Sequence, residues 1–294
     1  MASSLQLMTE NIESALRRAT ASFADCSDSA KLDAEILLAH VLRKSRSFLY
    51  TWPHQSLELH QLKDFNNLIE QRLQPTPIAY LIGSREFYSL QFEINHDVLV
   101  PRPETELLVD KALELCDLHH LNKVIDLGTG SGIIPICLKK QRPDLSITAT
   151  DISSDCLNLA KRNAIKHQTK INWVQSNWYE SLDPDYQFDL IISNPPYIAA
   201  DESWLQIGDL PAEPLLALSS GETGLESIKV IVRGACQFLT PAGHLIMEHG
   251  HEQSDAIVAL MAESKFKEIY TLEDFNHLPR LTGGQFIVGK KKAG

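Results

Sequence analysis

Basic residues are in short supply in this chain. Its 294 residues include 27 Lys and Arg against 38 Asp and Glu, a formal net charge of −11. Such a surface repels the phosphate backbone, so direct nucleic-acid binding is not expected, although a local basic patch would be compatible with the total. Long apolar runs are missing as well. None approaches the roughly 18 residues of a membrane span, and no membrane partner is expected. The opening stretch to Ser14 has no basic segment followed by an apolar one, so no secretory signal is read there. Cysteine is sparse and scattered: Cys26, Cys116, Cys137, Cys156 and Cys236 give an odd count and no CxxC spacing. Neither a disulfide framework nor a zinc site is indicated, and reduced thiols in a cytoplasmic protein are expected. The eleven His include no HxxxH or HExxH, so no metal is expected. No GxSxG marks a serine nucleophile. What is present is a globular composition, 44% hydrophobic and 22% charged, at a length suggesting about two domains.

Helical spacing dominates the first part of the chain. Ile12, Ala15, Leu16 and Ala19 recur at i, i+3, i+4, i+7; Ala34, Leu37, Leu38 and Val41 repeat that pattern; and Leu62, Phe65, Ile69 and Leu73 continue it. Pro75 and Pro77 end the run. The expectation is a small helical bundle over 1–84. The period then changes: Tyr88, Leu90, Phe92 and Ile94 alternate with polar residues, Asn95-His96-Asp97 reads as a turn, and Val98-Leu99-Val100 as a returning strand. Residues 85–100 are therefore expected to form a β-hairpin linker to a third segment, 101–294.

From residue 123 onward, strands and helices alternate. Strands are expected at 124–127, 146–150, 171–174, 188–193, 245–248 and 286–288, with helices at 133–140 and 154–164. That alternation predicts an α/β domain with a mostly parallel sheet covered on both faces. Gly283-Gly284-Gln285 reads as a turn before the last strand, and His249 and His251 as residues at a strand edge.

Four stretches carry chemistry. Asp126-Leu127 runs into Gly128-Thr129-Gly130-Ser131-Gly132, a GxGxG loop after a strand, where glycine lets the backbone approach a ligand that a Cβ would exclude. Beyond the carboxyl end of a strand is the usual ligand crevice of an open α/β sheet. Asp151 ends the next strand about 20 residues on, the spacing at which an acid takes both ribose hydroxyls. Asn194-Pro195-Pro196-Tyr197 follows the strand at 188–193. A carboxamide or aromatic amine is a poor nucleophile because its lone pair is delocalised. The Asn194 oxygen and the Pro195 carbonyl can accept its two N–H groups and orient the nitrogen, while Tyr197 offers an apolar face. Proline stiffens the loop in advance. Trp178, after the third strand, is a candidate wall for an adenine ring; Asn177 stands before it where an acid is commoner.

GxGxG resembles the first motif of class I methyltransferases that use S-adenosylmethionine, and Asn-Pro-Pro-Tyr resembles the signature of those acting on planar amino groups. The wider pattern narrows this further. Residues 32–40 (LDAEILLAH), 77–83 (PIAYLIG), Arg85-Glu86-Phe87, 100–106 (VPRPETE) and Glu213-Pro214 with Ala217-Leu218 resemble the release factor glutamine methyltransferases, the HemK/PrmC family. The resemblance implies a Rossmann-like domain with a seven-stranded sheet behind a helical substrate-recognition domain. It implies methyl transfer from S-adenosylmethionine to the glutamine amide of the Gly-Gly-Gln motif in peptide chain release factors. Gly128, Thr129, Gly130, Ser131, Gly132, Asp151, Trp178 and Asn194 fall on its cofactor positions, and Asn194, Pro195, Pro196 and Tyr197 on its glutamine site. Pro211-Ala212 departs from the usual basic and aromatic pair. A nucleic-acid amino methyltransferase shares the Asn-Pro-Pro-Tyr loop and is the alternative; the net charge weighs against it.

Overall fold

Residues 10–287 are described by the computed structural model. The first nine residues of the opening stretch, and Val288 of the strand expected at 286–288, lie outside them. The chain forms two compact units. One takes the residues up to Gly83 together with Gln206–Ala212; the other takes Ser84–Leu205 and the chain from Glu213.

The first unit contains α1 (Ile12–Phe23), α2 (Ala30–Leu42), α3 (Arg46–Thr51), α4 (Leu59–Arg72) and α5 (Ile78–Ile82). Asn11 starts α1: its side-chain oxygen accepts the Ser14 N–H, and the Ser14 hydroxyl takes the Asn11 N–H. The apolar stripe Ile12, Ala15, Ala19 and Phe23 is wholly buried with Leu37 and Leu38 of α2 and Phe65 and Ile69 of α4. Each large side chain so buried contributes about 1.5–3 kcal/mol. Because α2 is surrounded, it also buries Asp33. That carboxylate accepts from Arg72 Nε at 2.9 Å and from the Ser27 and Ser29 hydroxyls at 2.8 and 2.9 Å. Arg72 Nη1 reaches Asp209 at 2.8 Å, which fastens Gln206–Ala212 into this unit. Burial alone would depress the Arg72 pKa; the two aspartates outweigh it and raise it.

The second unit opens with β1 (Ser84–Phe87) and β2 (Leu90–Glu93), an antiparallel hairpin. Its turn falls on Tyr88 and Ser89, both left-handed at φ 52° and 59°, and not at 95–97. Val98–Val100 does not return as a strand. Asn95 Oδ1 instead accepts the Asp97 N–H in a side-chain turn, and the Val100 N–H goes to the Glu213 carboxylate. The hairpin is anchored: Glu93 pairs with Arg162, and Asn163 accepts the Glu93 N–H and donates to its carbonyl.

The rest comprises α6 (Glu106–His119), β3 (Lys123–Leu127), α7 (Ile133–Gln141), β4 (Ser146–Asp151), α8 (Ser154–Lys166), β5 (Asn172–Gln175), β6 (Phe188–Ser193), α9 (Leu215–Leu218), α10 (Glu226–Phe238), β7 (Leu239–Glu248), α11 (Ser254–Glu263), β8 (Phe266–Glu273) and β9 (Pro279–Phe286). One seven-stranded sheet runs β5-β4-β3-β6-β7-β9-β8, with β3 to β7 parallel and the last two strands antiparallel. This is the fold class expected. Ile125, Leu127, Ile191, Leu245 and Met247 point to one face and form its core with α10 and α11. Strand alternation sends Val124, Leu190, Ile192 and Ile246, equally buried, to the other. Among the described residues no helix is long and apolar enough to cross a membrane.

Gly283-Gly284-Gln285 is not a turn. It lies within β9, paired on both sides. Glycine is required there by crowding: a Cβ on Gly283 would meet the Tyr270 hydroxyl at 2.6 Å and Ile246 Cγ2 at 2.7 Å. His249 is likewise buried rather than at an edge, with Nε2 at 2.8 Å from Thr282 Oγ1.

Candidate active site

The strand β3 pairs with β4 on one side and β6 on the other, so the chain leaves it in opposite directions. At such a reversal the loops at the strands' carboxyl ends diverge and leave a crevice. Here the loops are 128–132 after β3, the stretch from Asp151 after β4, and 194–197 after β6. A cavity of about 450 Å³ opens between them, lined by Gly128, Thr129, Gly130, Ser131, Asp151, Trp178, Asn194 and Pro196.

Gly132, Pro195 and Tyr197, expected with this group, do not line it. Gly132 serves packing: its φ is +79°, and a Cβ would stand 2.9 Å from that of Ala160, so it lets α8 close on the loop. Pro195 is buried in the loop's interior. Tyr197 packs its ring against the main core, and its hydroxyl reaches Glu248 Oε1 at 3.4 Å.

Asp151 accepts the Gly130 N–H on Oδ2 and the Ser153 N–H on Oδ1, each at 2.9 Å, so the acid shapes the glycine loop. Burial pushes its pKa up, while those two N–H groups oppose the shift. Asp126, at the root of the loop, is fully buried. Burial pushes it up to about 7 and the Asp151 charge adds to this; Thr129 opposes, though its hydroxyl makes no hydrogen bond of normal geometry. Trp178 adopts a left-handed φ of 53°, which lays its ring over Gly128. Asn177 lines the cavity beside it and donates from Nδ2 to Glu180 Oε1 at 2.8 Å, leaving its own oxygen to accept.

Asn194 donates from Nδ2 to Thr105 Oγ1 at 3.2 Å, so Oδ1 is its free acceptor. The loop behind it is held through its backbone. The Tyr197 and Ile198 N–H groups bond the Leu218 carbonyl, and Gln253 Nε2 donates to the Tyr197 carbonyl at 2.9 Å. Glu213, almost fully buried, accepts from the Val100 N–H at 3.0 Å and pairs with Arg102. One ion pair thus joins the Pro-Arg-Pro-Glu and Glu-Pro stretches. Arg102 and Thr105, with Pro214, Leu216 and Ala217 at α9, also line the cavity. Reasoning from the sequence assigned none of these a role; Arg102 and Thr105 meet Glu213 and Asn194 across about a hundred residues, and no spacing encodes that.

This strand order, with a glycine loop after the central strand and an Asn-Pro-Pro-Tyr loop after its neighbour, defines a class I methyltransferase. The hMettl16 catalytic domain, solved in complex with MAT2A 3′UTR hairpin 1, shares the fold at a TM-score of 0.56 and 15% identity, covering 86% of this chain and 92% of that one. Residues 14–83 match the PrmC N-terminal domain and residues 103–209 the methyltransferase small domain. The chain is 39% identical over 277 residues to the release factor glutamine methyltransferase of Shewanella oneidensis, covering 94% of this chain and 96% of the relative. It is 38% identical over 283 residues to that of Aliivibrio fischeri, covering 96% and 99%. The chain belongs to the release factor glutamine methyltransferase family.

Proposed function

We propose that this chain transfers a methyl group from S-adenosylmethionine to the side-chain amide nitrogen of the glutamine in the Gly-Gly-Gln motif of peptide chain release factors, and so modulates translation termination in the cytoplasm. The observation that carries this reading is identity along nearly the whole length of both chains with relatives bearing that name. The helical region, the Pro-Arg-Pro-Glu stretch and the acceptor loop are all included.

The cavity suits the cofactor. Its volume falls in the range of roughly 300–1,000 Å³ usual for such ligands. Gly128, Thr129, Gly130 and Ser131 offer a backbone cradle, with Gly132 allowing the tight turn. Asp151 uses one acceptor site on each oxygen for the loop and keeps others for ribose hydroxyls. Trp178 walls the adenine side, where the Asn177 oxygen accepts an amino hydrogen. Bound there, S-adenosylmethionine supplies an electrophilic methyl group on a positively charged sulfur.

The acceptor amide is oriented by Asn194 Oδ1 and the Pro195 carbonyl, which take its two N–H groups and favour the positive charge that develops on nitrogen. Pro196 stiffens the loop, and Tyr197 supports it from the core. No general base is needed before transfer, because the proton leaves after the nitrogen has been methylated. Residues 1–84 serve release factor recognition, 85–100 connect, and 101–294 carry the transfer. The test is incubation with labelled S-adenosylmethionine and either a release factor or nucleic acid, followed by location of the methyl group. Label on the Gly-Gly-Gln glutamine supports the reading; label on a base overturns it.

A further inference from the structure

A loop with two successive prolines offers few groups by which the rest of the fold can hold it. Pro195 and Pro196 have no N–H to donate. The Pro195 carbonyl and Asn194 Oδ1 are needed for the acceptor amide. What remains is the end of the loop, and the fold grips Tyr197 through both its N–H and its carbonyl. The Tyr197 and Ile198 N–H groups go to the Leu218 carbonyl at 3.2 and 3.0 Å. The Tyr197 carbonyl accepts from Gln253 Nε2 at 2.9 Å.

Gln253 stands immediately before α11, half-buried, and its side-chain amide is committed at both ends. Oε1 accepts the Gly250 N–H at 2.9 Å, so Nε2 is the end that faces Tyr197. Turned around, the amide would set NH2 against N–H and oxygen against carbonyl. Gly250 is in turn fixed to the sheet through His249. The His249 N–H bonds the Arg280 carbonyl at 3.0 Å, and its buried ring lies 2.8 Å from Thr282 Oγ1 and 2.9 Å from the Gly250 carbonyl. One side chain thus ties the acceptor loop to the ends of β7 and β9. The bond to Tyr197 is also covered. Gly224, buried and left-handed at φ +72°, lies over it: a Cβ there would overlap the Tyr197 carbonyl oxygen and stand 2.9 Å from Gln253 Nε2. Glycine backbone closes on both partners, and a hydrogen bond shielded from water is the stronger for it.

We propose that Gln253 is a positioning residue for methyl transfer. By pinning the Tyr197 carbonyl it fixes the far end of the Asn-Pro-Pro-Tyr loop. The locked φ angles of Pro195 and Pro196 leave little slack to absorb a movement there, so the constraint reaches the Pro195 carbonyl and Asn194 and keeps both aimed at the acceptor nitrogen. The inference rests on the glutamine-methylating function proposed above, and one of its two readouts does not depend on it.

Two variants of the full-length protein separate the two bonds. Gln253→Ala removes both. Gln253→Glu has the same shape and still accepts from Gly250, but as a carboxylate it has no proton to give the Tyr197 carbonyl. The first readout is backbone hydrogen exchange without substrate. In both variants the Tyr197 and Ile198 amides should exchange roughly five- to tenfold faster, as expected when one hydrogen bond holding the loop is lost, while amides of β3 and β6 exchange as in wild type. The second readout is methylation of a release factor. Both variants should lower kcat by roughly 10- to 100-fold, with KM and S-adenosylmethionine affinity within about threefold, since a small misplacement of the reacting amide costs on that order. Wild-type kcat and exchange in Gln253→Glu overturn the proposal, because only the bond to Gly250 would then matter. Being isosteric, that variant carries the decision even if Gln253→Ala does not fold. Faster exchange throughout β3 and β6, with cofactor affinity falling in parallel with kcat, overturns it in favour of general destabilisation. A wild-type chain that methylates no release factor, while Gln253→Glu frees the Tyr197 and Ile198 amides alone, refutes the substrate and leaves the brace standing.

Discussion

The indole of Trp178 lies so close over Gly128 that a Cβ on the glycine would stand 3.3 Å from Cζ3 of the ring. Both residues have left-handed backbones, Gly128 at φ +74° and Trp178 at φ +53°. Gly128→Ala therefore meets two obstacles. A side chain in that conformation costs roughly 1–2 kcal/mol, and the methyl group pushes the ring toward the cavity. The expected result is a lower Tm and S-adenosylmethionine affinity reduced by about tenfold or more, or about 1.4 kcal/mol. Calorimetry checks this; an alanine variant binding as tightly as wild type would mean that the ring does not border the cofactor.

Asp151 gives a second prediction. If it holds the ribose as proposed, replacing it by alanine removes two charge-assisted hydrogen bonds, each worth roughly 1.5–3 kcal/mol, and releases the Gly130 N–H. Unchanged cofactor affinity in a folded Asp151→Ala protein would end the ribose assignment. Because burial raises the Asp151 pKa, its charged form is lost on acidification earlier than for an ordinary aspartate. Affinity should fall with decreasing pH from above the usual carboxylate range, and Asp151→Asn should bind weakly with a flatter profile.

Stability should also report Glu248. The folded protein holds this proton up to about pH 7, whereas the unfolded chain gives it up at its ordinary 4.5. Between those values the unfolded state binds fewer protons, so stability falls as pH rises, by about 1.4 kcal/mol per pH unit for one proton. Asp126, raised from 3.8 to about 7, acts in the same sense. His244 acts in the opposite sense: burial lowers it from 6.5 to about 4, so its contribution is lost as pH falls through that window. Glu248→Gln isolates the first effect. Denaturant titrations should show the variant gaining on wild type from pH 5 to 7 and then holding a constant margin. A margin independent of pH over that interval would contradict the raised pKa.

What could be read from the sequence was local. The glycine loop, Asp151 and the acceptor loop each follow a strand end directly, so residue type and spacing were enough to bring Gly128, Asp151 and Asn194 to one cavity. The hairpin turn escaped because Tyr88-Ser89 occupies positions usually marked by Asn-Gly. Gly283-Gly284 suggested a turn because glycine is commonest there, yet crowding by Tyr270 and Ile246 from neighbouring strands is what demands it. The helix α10 is not among the elements expected, although Ile228, Ile231, Val232 and Ala235 carry the same i, i+3, i+4, i+7 spacing as α1. The pairs Thr105–Asn194 and Arg102–Glu213 and the docking of Asp209 on Arg72 depend on tertiary neighbours, which no local pattern foreshadows.

Asn194 gives the sharpest prediction for the reaction. If its oxygen orients the acceptor amide, Asn194→Ala should lower turnover far more than substrate binding, by on the order of 100–1,000-fold for one preorganised acceptor. Asn194→Asp tests the same atom differently. It keeps an acceptor oxygen at the same place, but it loses the N–H that Thr105 accepts. The added negative charge should also favour the cationic cofactor over its neutral product, so binding of S-adenosylmethionine relative to S-adenosylhomocysteine should rise while the transfer step, which removes positive charge from sulfur, slows. The variant is expected to be impaired despite its shape, with tighter relative cofactor binding as the signature that separates it from Asn194→Ala. Single-turnover rates at saturating substrate and cofactor decide the matter. If Asn194→Ala stays within a few-fold of wild type, the acceptor amide is oriented by some other group.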